Sequence, residues 1–172
     1  MPRYVAFLRG VSPTNASMPP LKRCFEAAGF ANVRTLLASG NVAFDARAAS
    51  ADALQRRAEQ AMRADLERAF AAIVRSTEQL QRLVDADPFA GFRLPANAKR
   101  VVTFLRVVGA HAAVKLPLER DGARILKIID GEVLAAYVPS DKGPVFMTLL
   151  ERTFGTDITT RTFDTVKKCA LA

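Results

Sequence analysis

Residues 4–8, Tyr-Val-Ala-Phe-Leu, are an unbroken apolar run that stops at Arg9-Gly10. The run is too short for a core helix, and its lack of alternation predicts a strand buried on both faces. A polar loop over 11–16 leads to Ser17 ahead of Met18-Pro19-Pro20. That is a serine N-cap with prolines in the first helical turn. Leu21, Cys24, Phe25 and Ala28 then recur at helical spacing, and Gly29 supplies the stop. Residues 32–38 read as a second strand, Gly40-Asn41 as a two-residue turn, and Val42-Ala43-Phe44 as a returning third strand. Ser50 opens a long helix with its stripe at Leu54, Ala58, Met62, Leu66 and Phe70. A short strand follows over 71–75, and Ser76 with Gln79 makes a capping box for a helix carrying Leu80, Leu83 and Val84.

The first six of these elements run β-α-β-β-α-β, the split order of the ferredoxin-like fold. Residues 87–98 hold two prolines, a glycine and an asparagine and read as a linker. Beyond it, 101–108 is again apolar on both faces, and 111–116 amounts to one or two helical turns cut off by Pro117. Residues 124–129, the Asp130-Gly131 turn and 133–138 form a hairpin. Pro144 opens a helix with Val145, Phe146, Leu149 and Leu150 inward; 157–161 reads as a short edge strand, and a last helix carries Phe163, Val166 and Ala170. The second half therefore repeats the element order of the first, with a degenerate first helix. The expected fold is α+β, two ferredoxin-like halves packed as one compact unit: 1–86, a linker over 87–98, and 99–172. Strands apolar on both faces need cover beyond their own helices, and the simplest supply is each half covering the other. A ferredoxin-like sheet that binds RNA does so through aromatics on an open face, so this arrangement speaks against that mode.

Charge adds one more feature. The chain of 172 residues carries 25 Lys and Arg against 17 Asp and Glu, a net +8. Such an excess favours acidic partners, nucleic acid among them. It is nevertheless spread out: residues 1–47 have six basic against two acidic residues, 48–98 seven of each, and 99–172 twelve against eight. No run of like charge marks a nucleic-acid arm. Nothing approaches the apolar length of a membrane span. The start reads as a mature cytoplasmic one, without an export signal, and two distant cysteines, Cys24 and Cys169, fit a reducing compartment.

Several segments carry a family resemblance: Tyr4-Val5-Ala6-Phe7-Leu8-Arg9-Gly10, Met18-Pro19-Pro20-Leu21-Lys22, Ala28-Gly29-Phe30-Ala31-Asn32-Val33-Arg34-Thr35 and Ser39-Gly40-Asn41-Val42-Ala43-Phe44. With Val74-Arg75-Ser76, Asp87-Pro88-Phe89, Thr160-Arg161 and Thr165-Val166, they resemble the bacterial family called domain of unknown function 1697. The resemblance implies an α+β, ferredoxin-like architecture and brings no established activity. The chain departs from the family pattern at 12–14, where an Asn and paired glycines are usual, at 140–143, and at 162–164.

Catalytic chemistry finds little footing. The one histidine, His111, has no Ser or Cys motif to serve, and it reads as surface or structural. No nucleophile elbow, phosphate loop or dinucleotide fingerprint is present. No carboxylates cluster at metal-ligand spacing, so no metal or cofactor is expected. Asp85 and Asp87 suit a turn before Pro88. Glu59, Arg63 and Glu67 are a solvated helix face, and Lys167 and Lys168 complement a helix dipole.

The best ligand candidate is the loop after the first strand. Arg9 ends the strand, Gly10 turns the chain, and the helix start near Ser17 offers N–H groups to an anion. Asn15, Lys22 and, if the halves pack together, Arg161 would contribute. The bland alternative is that Ser17 caps the helix and Arg9 meets a surface carboxylate. The leading functional expectation is a non-enzymatic cytosolic binder of an anionic ligand, either a small molecule or nucleic acid. The alternatives are a metal-independent enzyme acting on a small anionic metabolite at that loop, and an interaction module for an acidic protein.

Overall fold

The computed structural model describes every residue except 13–16, 38, 39, 67, 110 and 112. It is a mixed α+β fold in two units, one comprising Met1–Asp85 with Lys167–Ala172 and the other Ala86–Val166.

The first unit contains β1 (Arg3–Leu8), α1 (Met18–Ala27), β2 (Ala31–Leu36), β3 (Asn41–Asp45), α2 (Ala51–Asp65), β4 (Ala72–Ser76) and α3 (Thr77–Asp85). Its four strands form one antiparallel sheet in the order β2-β3-β1-β4. Alternate strand residues, among them Tyr4, Ala6, Leu8, Phe44 and Val74, bury against Leu21, Cys24 and Phe25 of α1 and Leu54, Ala58 and Met62 of α2. Their neighbours Val5, Phe7, Ala43 and Ile73, which point to the other face, are buried as well. This is why the strand sequences do not alternate. At the β4 edge, buried Gln55 of α2 accepts a hydrogen bond of 3.0 Å from the Val74 N–H. At the far end of the sheet, the Arg3 guanidinium donates to Asp45 Oδ1 at 2.8 Å and to the carbonyl of Ala172 at 3.0 Å, while Asn32 donates to Asp45 Oδ2 at 2.7 Å. Those hydrogen bonds, Asn32 first and then Arg3, hold the Asp45 carboxyl below its ordinary value.

The second unit contains β5 (Lys99–Leu105), β6 (Leu118–Arg120), β7 (Ala123–Ile129), β8 (Glu132–Tyr137), α4 (Val145–Phe154), β9 (Ile158–Thr162) and the start of α5 (Phe163–Ala170). Its five-stranded antiparallel sheet has the order β6-β7-β8-β5-β9. Val101, Leu105, Ile125, Val133, Ala135 and Ile158 pack with Phe146, Leu150 and Phe154 of α4. Within 87–98, Phe89 is buried and meets the Phe163 ring edge-on at 5.1 Å, and Asp87 adopts a φ of 45° in a turn closed by Ala90.

Local chemistry explains most boundaries. Ser50 caps α2 by accepting from Ala53 N–H. Ser76 and Gln79 form the reciprocal box, with Gln79 N–H donating to Ser76 Oγ and Ser76 N–H to Gln79 Oε1. Four expectations need correction. Asn41 is no turn residue: it starts β3, opposite Phe7 and Leu36, and the chain reverses through Leu37 and Gly40, both at positive φ. The α2 helix ends at Asp65, and Phe70 joins the core from the following segment. No helix occurs over the described part of 111–116, only a turn closed by Val114 N–H on the His111 carbonyl. Strand β6 is an addition, paired to β7 through an Asp121-Gly122 turn with both φ positive.

Candidate functional site

Of the expected anion loop, the first unit holds Arg9, Gly10, Ser17 and Lys22, whereas Arg161 belongs to β9 of the second; Asn15 lies outside the described residues. Arg9 is half-buried, and its backbone N–H donates to the Ala71 carbonyl at 2.9 Å. Gly10 is exposed at φ +80°. Lys22 sits 3.9 Å from Glu26 one turn along α1. Ser17 stands at the N-cap in extended conformation, yet its hydroxyl makes no cap hydrogen bond. The reason is chemical. A capping oxygen accepts from the N–H of the second or third helical residue, and these are Pro19 and Pro20, which have none. The same prolines withdraw donors that an anion at this helix end would use. Arg161 folds back on its own strand, donating to Thr159 Oγ1 at 2.8 Å and to the Thr160 carbonyl at 2.9 Å.

A different cluster of cations lines a cleft in the second unit. Between β6 and α4 lies a space of about 260 Å³ bordered by Arg120, Asp121, Lys142, Thr148 and Arg152. Three positive side chains face it against one carboxylate. Asp121 is shared, with Lys142 Nζ at 3.2 Å and Arg120 Nε at 4.0 Å. Both cations remain largely in solvent, with side chains 67% and 59% exposed, so these pairs are weak and exchangeable. A second space of about 270 Å³ shares Asp121, Pro144 and Val145 with the first and adds Tyr137, whose ring stacks on Phe146 at 4.5 Å. The loop between β8 and α4 is fixed by Ser140 Oγ, which accepts from Lys142 N–H at 3.1 Å. Pro144 at the N-cap of α4 has no side chain to cap with, and the second and third helical residues, Phe146 and Met147, keep their N–H groups, in contrast to α1.

A third cleft, of about 520 Å³, is lined by Leu105, Val114, Leu116, Leu126 and Ile128, with His111, Lys127 and Asp130. The His111 ring stands edge-on to Phe154 at 5.1 Å. Both cysteines are free and buried. Burial, with the Asp65 carboxylate adding to it, pushes the Cys24 thiol up to about 11, so it stays protonated and unreactive at neutral pH. Among the described residues no three His, Cys, Asp or Glu side chains gather as a metal site, and no helix is long and apolar enough to cross a membrane.

Sequence reasoning missed Arg120, Lys142 and Arg152 because they come from a hairpin, a loop and the second half of a helix. Spacing along the chain gives no hint that they share a cleft. The loss of donors at α1, by contrast, was readable from Pro19-Pro20 alone.

Comparison with solved structures finds the conserved bacterial protein SP0830 from Streptococcus pneumoniae, at 18% identity and a TM-score of 0.69, covering 99% of this chain and 97% of that one. At that identity the likeness speaks for the fold alone. Comparison with curated proteins finds no relative. The family model described as protein of unknown function DUF1697 matches residues 1–133, and the chain belongs to that family.

Proposed function

We propose that the protein is a non-enzymatic binder of a small anionic ligand, a phosphorylated or polycarboxylated molecule, held in the β6–α4 cleft. The observation that carries this reading is the convergence of Arg120, Lys142 and Arg152 on one cleft with Asp121 as the sole carboxylate among its lining residues. An arriving anion displaces Asp121 as the partner of Arg120 and Lys142 and gains Arg152 as well, with charge-assisted hydrogen bonds to each. The Tyr137–Phe146 stack beside it offers a flat apolar wall for the rest of the ligand.

The test is thermal unfolding of the full chain with inorganic pyrophosphate, repeated with Arg152→Ala and Lys142→Ala. Saturating ligand at a hundredfold its Kd stabilises the fold by about 2.7 kcal/mol by mass action. Both variants should lose most of that shift. A shift unchanged in both variants would sink the β6–α4 assignment. Single-stranded RNA run beside it separates the macromolecular case, since binding through many phosphates falls steeply with salt.

A second placement stands on a separate observation. The family model ends at residue 133, so it spans the β1–α1 loop with Arg9, Gly10, Asn15, Ser17 and Lys22 but omits Lys142 and Arg152. Arg9→Ala is therefore the matched arm: loss of the pyrophosphate shift there, and not in Arg152→Ala, moves the site to that loop.

We also read each unit as a ferredoxin-like half. Support comes from the strand orders β2-β3-β1-β4 and β7-β8-β5-β9, which are the same order counted from each unit's first strand once β6 is set aside. Two free buried thiols favour a reducing, cytoplasmic setting.

A further inference from the structure

We infer that the 520 Å³ cleft of the second unit is a binding cavity for a small, uncharged, mostly apolar organic molecule bearing one hydrogen-bonding head. The cavity lies between Gly109, His111, Val114 and Leu116 on one side and the β7–β8 hairpin on the other, and it is about twice the size of either space beside α4. Its volume falls within the range of roughly 300–1,000 Å³ usual for small-molecule sites. Five aliphatic side chains form the walls: Leu105 and Leu126 from the sheet are buried, Ile128 is half-buried, and Val114 and Leu116 close it from the connection.

The cavity has a structural cause. In the first unit the link between the first two strands is α1, whose Leu21, Cys24 and Phe25 fill the space over the sheet. In the second unit the corresponding link has no helix among its described residues, so apolar strand residues border a cleft instead of a helical stripe.

The polar groups select the head. Lys127 and Asp130 are the only charged lining residues and cancel one another, so the cavity shows no preference for an anion. This distinguishes it from the β6–α4 cleft. His111 is half-buried, its ring held edge-on against Phe154. An imidazole fixed in position at an apolar wall is suited to one hydrogen bond with an amine, hydroxyl or carbonyl of a ligand.

The experiment is a fluorescence titration of the full chain with 1-aminonaphthalene, with naphthalene as competitor and 1-naphthoate as the anionic comparison. The expected result is saturable binding of one probe per chain. Val114→Glu, which sets a carboxylate against the apolar wall, weakens it by at least roughly tenfold. Should that variant not fold, Val114→Phe fills the same space without charge and gives the same loss. His111→Ala weakens 1-aminonaphthalene by about fivefold and leaves naphthalene unchanged, the size of one neutral hydrogen bond. Lys127→Ala changes neither. Absence of saturable binding, binding indifferent to both Val114 variants, or tighter binding of 1-naphthoate that Lys127→Ala abolishes would each overturn the inference.

Discussion

The two units solve the same corner identically and the same connection differently. In the first, β4 ends Val74-Arg75-Ser76, the Arg75 guanidinium donates to the Val74 carbonyl at 2.9 Å, and Ser76 caps the next helix. In the second, β9 ends Thr160-Arg161-Thr162, Arg161 donates to the Thr160 carbonyl at 2.9 Å, and Thr162 Oγ1 accepts from Thr165 N–H at 3.3 Å. Arg75 stands opposite Val5 of β1, and Arg161 opposite Val102 of β5. The strand-to-helix corner is thus fixed in both units by short-range chemistry, an arginine and a hydroxyl in succession at the strand end. The link after each unit's first strand has no such local rule. One unit spends it on a helix that completes the core, and the other on a connection that leaves an apolar cavity. Stability should therefore reside in the first link and binding capacity in the second.

The sharpest test of that division is Phe25→Ala in α1. Phe25 is fully buried among Phe30 and Phe44, with ring centroids at 5.7 and 5.8 Å. Its truncation costs about 3–5 kcal/mol, read by denaturant unfolding, whereas Val114→Ala in the second link costs under about 1 kcal/mol. Equal losses would erase the contrast. Gly40→Ala comes next. Gly40 sits at φ +76°, where an added Cβ would lie 2.9 Å from Val11 Cβ and 3.2 Å from Leu8 Cβ. Backbone strain and overlap together cost about 2–3 kcal/mol. Gly109, at φ +86° with open space around it, bears only the strain, about 1 kcal/mol. The paired corners predict a smaller and more even effect: Ser76→Ala and Thr162→Ala each lose about 1 kcal/mol, and a difference of more than twofold between them would break the equivalence.

The smallest effect concerns the first unit alone. The Asp45 carboxyl is depressed in the fold, so its contribution is complete above its unfolded pKa of about 4 and fades as pH falls through the lower folded value. Asp45→Asn should be less stable than the parent at pH 7, and the gap should close below about pH 4. A gap independent of pH would assign the effect to packing instead.

What could be read in the sequence follows the same line. Ser50, Ser76 with Gln79, and the apolar stripes of α1, α2 and α4 act within a few residues of themselves, and so the elements they bound were legible. The hairpin before β3 was misread because Leu37 takes a φ of 60°, a conformation its side chain disfavours and only the surrounding sheet imposes. Strand β6 escaped because three residues, Leu118 to Arg120, carry no period of their own and exist as a strand only by pairing with β7. The cation cleft was illegible for a similar reason: hairpin, loop and helix each contribute one charge. Residues that work at a distance announce nothing locally.

The glutamine beneath β4 carries one more consequence. β4 forms one margin of the first unit's sheet, and the N–H of Val74, buried beside α2, would otherwise be an unpaired donor in the interior. Gln55 occupies that donor from within the same chain. Gln55→Leu would leave that donor buried and unsatisfied while keeping α2 apolar, and denaturant unfolding should read a loss of about 1–3 kcal/mol. A single buried amide thus completes the hydrogen bonding of a sheet margin from inside the core.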